Sequence, residues 1–382
     1  MGQLGGRLLV STDDGQIVTM LADGSDRVVL DRSAGGTRMV VQPTWSPDGT
    51  SVAWSAIGLE PSSDASLVTA SDRGERRVTT PVMFPAFYLC WRPDAGAVAC
   101  LGNGPLGIEL TVVEPGEPPQ LRARGAPLFF SWAPEEDDLV AHIGDDRLDL
   151  VGRAASPRPL ATPARFSVPA WHPRRSCIVA AVTDAGTDQL ALMGLDGSLN
   201  ELVAVFEGFA RFVLSPDGTR LAYVCEPLNG GPALASLDNP TSAIPGHLVV
   251  VELGSGVVDI VWAQPPVAFC WSPDSSRLLL CSPRPDRGRR SLEWRLWAGS
   301  YDTIPGPVHV PAPYTARHYL PFAEQYTRSQ TSWAPDSSAF AYAARSPQGV
   351  DQIWVQEVGD PAPAPRRVTD GVAVSWSPRT SR

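Results

Sequence analysis

The residue types best suited to chemistry are concentrated near the C-terminal end of this 382-residue chain, in the run HVPAPYTARHYLPFAEQYTRSQ from His309 to Gln330. Arg317, His318, Tyr319, Glu324, Gln325, Tyr326 and Arg328 fall within that one stretch. Two kinds of site can be built from such a set. Arginine beside an aromatic ring and a carboxamide offers charge, stacking and directional hydrogen bonds, which suits a polar planar or anionic ligand. Alternatively, Glu or His acts as general base, Tyr as acid, and Arg holds an anionic substrate, as in a lyase, cyclase or hydrolase. Four more arginines, Arg38, Arg124, Arg165 and Arg211, occur in TRMVVQ, RARGAP, ARFSVP and FARFVL, each entering an apolar segment. With Arg328 they are expected to draw a carboxylate or phosphate through charge-assisted hydrogen bonds, or else to pair with acidic neighbours.

Known catalytic signatures do not extend this set. Gly102-Asn-Gly104-Pro-Leu-Gly107 matches the dinucleotide pattern GxGxxG, but the strand-like IELTVV follows it. The helix N-terminus that would hold a pyrophosphate is missing, so a hairpin loop is predicted. There is no GxSxG elbow and no HExxH. His309, His318 and Glu324 have no recognised metal-ligand spacing, and Asp13-Asp14-Gly15 and Asp23-Gly-Ser-Asp26 read as turns rather than calcium loops. No metal and no cofactor are expected.

Composition narrows the partners. Net charge is -10, and all 31 basic residues are arginine because the chain has no lysine. Schiff-base chemistry is thereby excluded. An acidic chain without a basic stripe also argues against nucleic acid, since phosphate backbones are bound by clustered positive charge. The expected partner is a small anionic molecule or a partner protein or peptide. The six cysteines lie in apolar runs such as FYLCW and LLLCS with no CxxC pair, so they read as buried hydrophobes in a reducing compartment, although Cys270 and Cys281 sit on neighbouring strands. The N-terminus lacks the apolar stretch of a secretory signal, and no segment is apolar over the ~20 residues needed to span a bilayer. A soluble, cytoplasmic protein without direct membrane insertion is expected, or a periplasmic or secreted one if a signal has been removed.

The elements that position these residues are announced by a repeat. Trp45-Ser-Pro-Asp-Gly, Trp91-Arg-Pro-Asp, Trp132-Ala-Pro-Glu, Trp171-His-Pro-Arg, Leu214-Ser-Pro-Asp-Gly, Trp271-Ser-Pro-Asp, Trp333-Ala-Pro-Asp and Trp376-Ser-Pro-Arg recur at intervals of 39 to 62 residues. Each unit ends an apolar strand in a large side chain, stops strand pairing with Pro, and turns on Asp with Gly or Ser. Downstream segments such as ASLVTASD and RRVTT supply further strands, giving four antiparallel strands per unit. After Trp376 only the first strand of the last unit remains, whereas RLLVST, QIVTMLA and RVVLD precede the first motif. Joining the termini in one sheet completes both and removes exposed edges. The predicted fold is therefore all-β: a closed eight-bladed β-propeller over residues 1–382, with seven blades as the alternative count and insertions at about 228–246 and 301–330.

These units resemble the WSPDG repeats of the TolB-like propeller family, along essentially the whole chain. The resemblance implies the propeller fold, but not a role, because the repeat occurs in binding proteins, peptidase accessory domains and enzymes alike. The family pattern is six blades behind a signal peptide and a small N-terminal domain, whereas eight units stand here. On the propeller reading, the residues from Arg317 to Arg328 overhang one mouth of the central channel, and the insertion before His247 lies on the same face. The leading expectation is a non-catalytic binding or protein-interaction propeller, its ligand held around Gln325, Tyr326 and Arg328, with an enzyme built at the same mouth as the alternative.

Overall fold

The computed structural model describes residues 4–32, 38–59, 64–135, 137–153, 156–165, 167–226, 246–286, 289–299, 302–359 and 361–379. The chain is an all-β propeller of eight sheets. Seven have four strands, six of them in simple sequential order and one shared by the two termini, and the eighth, Ala339–Arg345, Asp351–Glu357 and Arg366–Asp370, has three. The place of a fourth strand there is taken by Ser332 and Trp333: Trp333 bridges Phe340, and Ala341 N–H donates to Ser332 O. The termini share a sheet as the repeat count requires. Arg7–Ser11 pairs with Ala373–Trp376, in the register Leu8 opposite Trp376.

The Trp or Leu of each motif ends an edge strand of its sheet, from Arg38–Trp45 through Ala268–Trp271 to Ala373–Trp376, or bridges in that position in the case of Trp333. The turn that follows is closed by its own polar side chains. Ser46 Oγ accepts from Ser51 N at 2.9 Å, and Asp48 Oδ1 accepts from Thr50 N at 3.1 Å. Ser215 with Asp217 and Ser272 with Asp274 repeat the arrangement. Because these acceptors satisfy backbone donors where the chain leaves the sheet, the turn can be tight and still cover a buried strand end. The GxGxxG run forms the predicted hairpin, with Gly104 opposite Gly107. All six cysteines are free thiols.

Two compact units divide the chain. One comprises Met1–Arg122, Pro283–Glu293 and Gly306–Arg382, and its core around the shared terminal sheet packs Trp376, Leu8, Val10, Val18, Ala341 and Ile353, all essentially without solvent contact. The other comprises Ala123–Ser282 and Trp294–Pro305, with Val179, Leu190, Phe212, Leu221 and Val249 at its centre. Alternation along each strand produces both cores, since one face of a blade meets the next. The insertion expected at 228–246 lies outside the described residues except for Gly246. No helix among the described residues is long and apolar enough to cross a membrane.

Candidate binding site

The segment from His309 to Gln330 departs from the β pattern. Pro311 and Pro313 limit strand pairing at its start, and Thr315–Tyr319 forms a π-helical turn in which Leu320 N–H donates to Thr315 O. Pro321 has no N–H to continue that ladder, so the chain tightens into the 3₁₀ turn Leu320–Phe322 and then a single α-turn, Ala323–Tyr326. We call this stretch the strap. Such irregular helical turns are marginal by themselves, and tertiary contacts must hold them.

Those contacts are reciprocal. Tyr326 hydroxyl donates to Phe87 O at 3.0 Å, and Tyr88 hydroxyl donates to Gln325 O at 2.9 Å. Between the two bonds the Tyr88 and Tyr326 rings meet edge to face at 5.2 Å, a favourable aromatic geometry. Tyr319 packs on Tyr326 at 5.4 Å and donates to Gln330 O. Further ties run from Gln330 Nε2 to Pro43 O at 3.0 Å, from Thr315 Oγ1 to Val372 O at 2.9 Å, and from Thr44 Oγ1 to Ser329 O. Gln42 belongs to the same anchorage. It sits at φ 57° in a bulge of the strand Arg38–Trp45 and lies beside Tyr314.

The strap sorts the expected site residues into two faces. Glu324, Gln325 and Tyr326 are buried, and Arg328 is partly buried against Tyr88, Cys90 and Glu324. Arg317 and His318 are exposed, with Tyr319 half-buried; Phe322, at 49% exposure, joins the outer face. His318 stacks on Tyr314 at 4.8 Å, while His309 packs on Tyr342 at 5.0 Å. The two imidazoles thus serve different rings. The amide Nε2 of Gln325 is buried with no hydrogen-bond partner among the described residues.

Burial sets the charge states beneath the strap. Burial pushes the Tyr88 hydroxyl well above its ordinary value and the Cys90 thiol up to about 11, so both are neutral near pH 7. Burial also lowers the proton affinity of Arg328, opposed by Tyr88, Cys90 and Glu324, but a guanidinium still keeps its charge. The strap therefore carries one partly buried cation beside a buried carboxylate.

The other arginines have their own surroundings. Arg38 pairs with Asp31 at 3.4 Å, an acid that also accepts from Trp54 Nε1 at 2.7 Å and from Arg77 at 2.9 Å. Arg211 donates to Pro266 O at 2.8 Å and lies over the Phe269 ring. Arg124 and Arg165 are exposed. Sequence reasoning missed Tyr88, Phe87, Gln42 and Tyr314. Gln42 had a signal, since Pro43 inside an otherwise regular strand marks a bulge; Tyr88 had none.

No family model matches the chain, and no curated protein matches it. Solved structures do. The dihydro-heme d1 dehydrogenase NirN in complex with DHE superposes at TM-score 0.62 with 11% identity, over 98% of this chain and 76% of that one. A eukaryotic initiation factor gives 0.58 at 11% identity over 100% of both chains. The β-propeller domain of the Trilobed protease from Pyrococcus furiosus gives 0.50 at 12% identity, over 88% of this chain and 99% of that domain. At such identities the likeness is one of fold: the chain is similar to known β-propellers.

Proposed function

We propose that the protein is a non-catalytic binding propeller that recognises an anionic small molecule or an acidic partner peptide at the outer face of the strap, through Arg317, His318 and Phe322, with Arg328 beneath. We likewise assign its units to the TolB-like WSPDG-repeat group on the motif itself. The single observation that carries the functional reading is the division of the strap: its inner residues are hydrogen-bonded into the strands beneath, while a cation, an imidazole and a large apolar ring stand exposed on the outer one. Rigidly held loops with such faces are where scaffold proteins place recognition. The fold by itself selects no role, since the relatives above include a dehydrogenase and an initiation factor. An enzyme at this site is less well supported, because the Tyr326 and Tyr88 hydroxyls are both engaged with main-chain carbonyls in holding the strap.

The test uses citrate, inorganic phosphate and an array of acidic peptides as probes against the wild type and the triple variant Arg317→Ala/His318→Ala/Phe322→Ser. These exposed positions leave the anchorage intact, so Tm should be unchanged. Saturable binding by the wild type that weakens about tenfold or more in the variant supports the reading. Binding unaffected by the variant would place recognition elsewhere.

A further inference from the structure

A second region departs from the repeat in a way that changes its chemistry. In most units an acid closes the turn: Asp48, Asp94, Asp217, Asp274 and Asp336 each accept from a backbone N–H two residues on. The unit at Trp171 reads His172-Pro173-Arg174-Arg175 and has no acid there. His172 takes over the task. Its Nδ1 accepts from Arg174 N at 3.1 Å and Arg175 N at 3.0 Å, and its Nε2 lies 3.0 Å from Gly218 O. A ring that accepts at Nδ1 and faces a carbonyl at Nε2 is a neutral imidazole with its proton on Nε2. Burial favours that state, holding the ring below its ordinary pKa, and the two neighbouring arginines act in the same direction.

The exchange inverts the local charge. Where six of the units carry a carboxylate and the Trp376 unit a single arginine, this one presents two exposed guanidinium groups, and neither makes an ion pair among the described residues. A cleft runs between this turn and Ala133-Pro134-Glu135, with Trp171 and Leu195 on its wall. Trp171 is only half-buried, whereas Trp45, Trp91, Trp132, Trp271, Trp333 and Trp376 are buried. A half-buried indole, two cations without an ion pair among the described residues and one carboxylate therefore line one cleft.

We infer that this cleft binds a phosphate or carboxylate carried on a planar ring: Arg174 and Arg175 take the anionic oxygens, Trp171 stacks the ring, and Glu135 accepts from an N–H of the ring. Two guanidinium groups match a phosphate or carboxylate with paired hydrogen bonds, and stacking on indole adds affinity for a flat body. The site is independent of the strap.

Adenosine 5′-monophosphate is a suitable probe because it has all three groups, with inorganic phosphate and adenosine as its parts. Titration calorimetry should show saturable binding of the monophosphate, and weaker binding of phosphate and of adenosine alone. Arg174→Ala/Arg175→Ala should weaken it at least about tenfold at unchanged Tm, with a loss of its salt dependence. Trp171→Leu should weaken the monophosphate but not phosphate. Absence of saturable binding by the wild type, or undiminished affinity in the double arginine variant, overturns the site. Equal affinity for phosphate and the monophosphate overturns the stacking role of Trp171.

Discussion

The repeat turns and the strap satisfy their buried polar groups in opposite ways. In a repeat turn the partners are two to five residues apart, as with Ser46, Asp48, Thr50 and Ser51, and the same four-residue code is written again in other sheets. In the strap the partners are far apart in sequence: Tyr326 with Phe87, Gln325 with Tyr88, Ser329 with Thr44. A local device can be repeated and lost one copy at a time. A long-range device is assembled once, and its parts depend on each other. The expectation is that single substitutions in a turn have small, additive effects and that single substitutions in the strap have large, coupled ones.

The largest effect should come from Tyr326→Ala. It removes a buried ring that contacts both Tyr88 and Tyr319, together with the bond to Phe87 O, and a core aromatic truncation of this kind costs about 3–5 kcal/mol. Tyr326→Phe keeps the rings and removes the hydroxyl, for about 1 kcal/mol. In a cycle with Tyr88→Phe the two losses should not add. Urea denaturation of Tyr326→Ala, of the two single Phe variants and of their double measures this, and an unchanged midpoint in Tyr326→Ala would show that the strap is not part of the cooperative fold.

Acidity should strike both regions, but unequally. Burial holds the imidazoles of His142, His172 and His309 below the ordinary histidine value of 6.5, and His309 down to about 4. The unfolded chain therefore takes up protons first as pH falls. Stability from these groups is fully present above about pH 6.5 and is lost progressively down to about pH 4. A fall of a few degrees in Tm over that window is expected. His309, which enters the strap, should account for more of it than His172, which closes a turn. His309→Gln should flatten the Tm profile more than His172→Asn does, and the reverse ranking would contradict the assignment.

The same contrast explains what could be read from the sequence. The turn code is local, so Trp-Ser-Pro-Asp-Gly at 45–49 and its copies indicated the blades and their number, and the short tail after Trp376 indicated the shared terminal sheet. The strap was legible only as a set of residue types. That Arg317 and His318 would face outward and Gln325 inward depends on a π-helical turn and on Tyr88, a residue that alternation along its own strand marks only as buried. Arg38 illustrates the limit on the charge reading: its partner Asp31 comes from a neighbouring sheet, and nothing in TRMVVQ names it. Trp171-His-Pro-Arg counted only as one more copy of the repeat, and the role of His172 in closing its turn needed the hydrogen bonds.

A smaller effect is expected from Ser46→Ala and Ser272→Ala. Each serine is fully buried, accepts a backbone N–H and donates to its own aspartate. Each substitution should cost about 1–2 kcal/mol, and the double variant should show their sum, because the sites share no partner. Strong non-additivity in the denaturation midpoints would mean that the turns are coupled like the strap.

The smallest effect, and the one of opposite sign, lies at the residue after the turn aspartate. Gly49 and Gly218 occupy it at φ 68° and 74°, as a left-handed position favours, but Ala95, Ser275 and Ser337 occupy it at 61°, 62° and 61°. A side chain there costs about 1–2 kcal/mol against glycine in the folded state, offset by about 0.4–1 kcal/mol because glycine loses more freedom on folding. Ala95→Gly should therefore stabilise slightly, by about 0.5 kcal/mol. Ser275→Gly should not, because Ser275 Oγ accepts from Asp217 N at 3.0 Å and that bond would be lost. Gly49→Ala should destabilise, since a side chain at φ 68° is strained whatever the space around it. Thermal melts of the three variants rank them Ala95→Gly above wild type and Ser275→Gly and Gly49→Ala below. If Ala95→Gly falls below wild type instead, the turns are not governed by local backbone preference, and the separation between a repeated local device and a single long-range one fails at its simplest point.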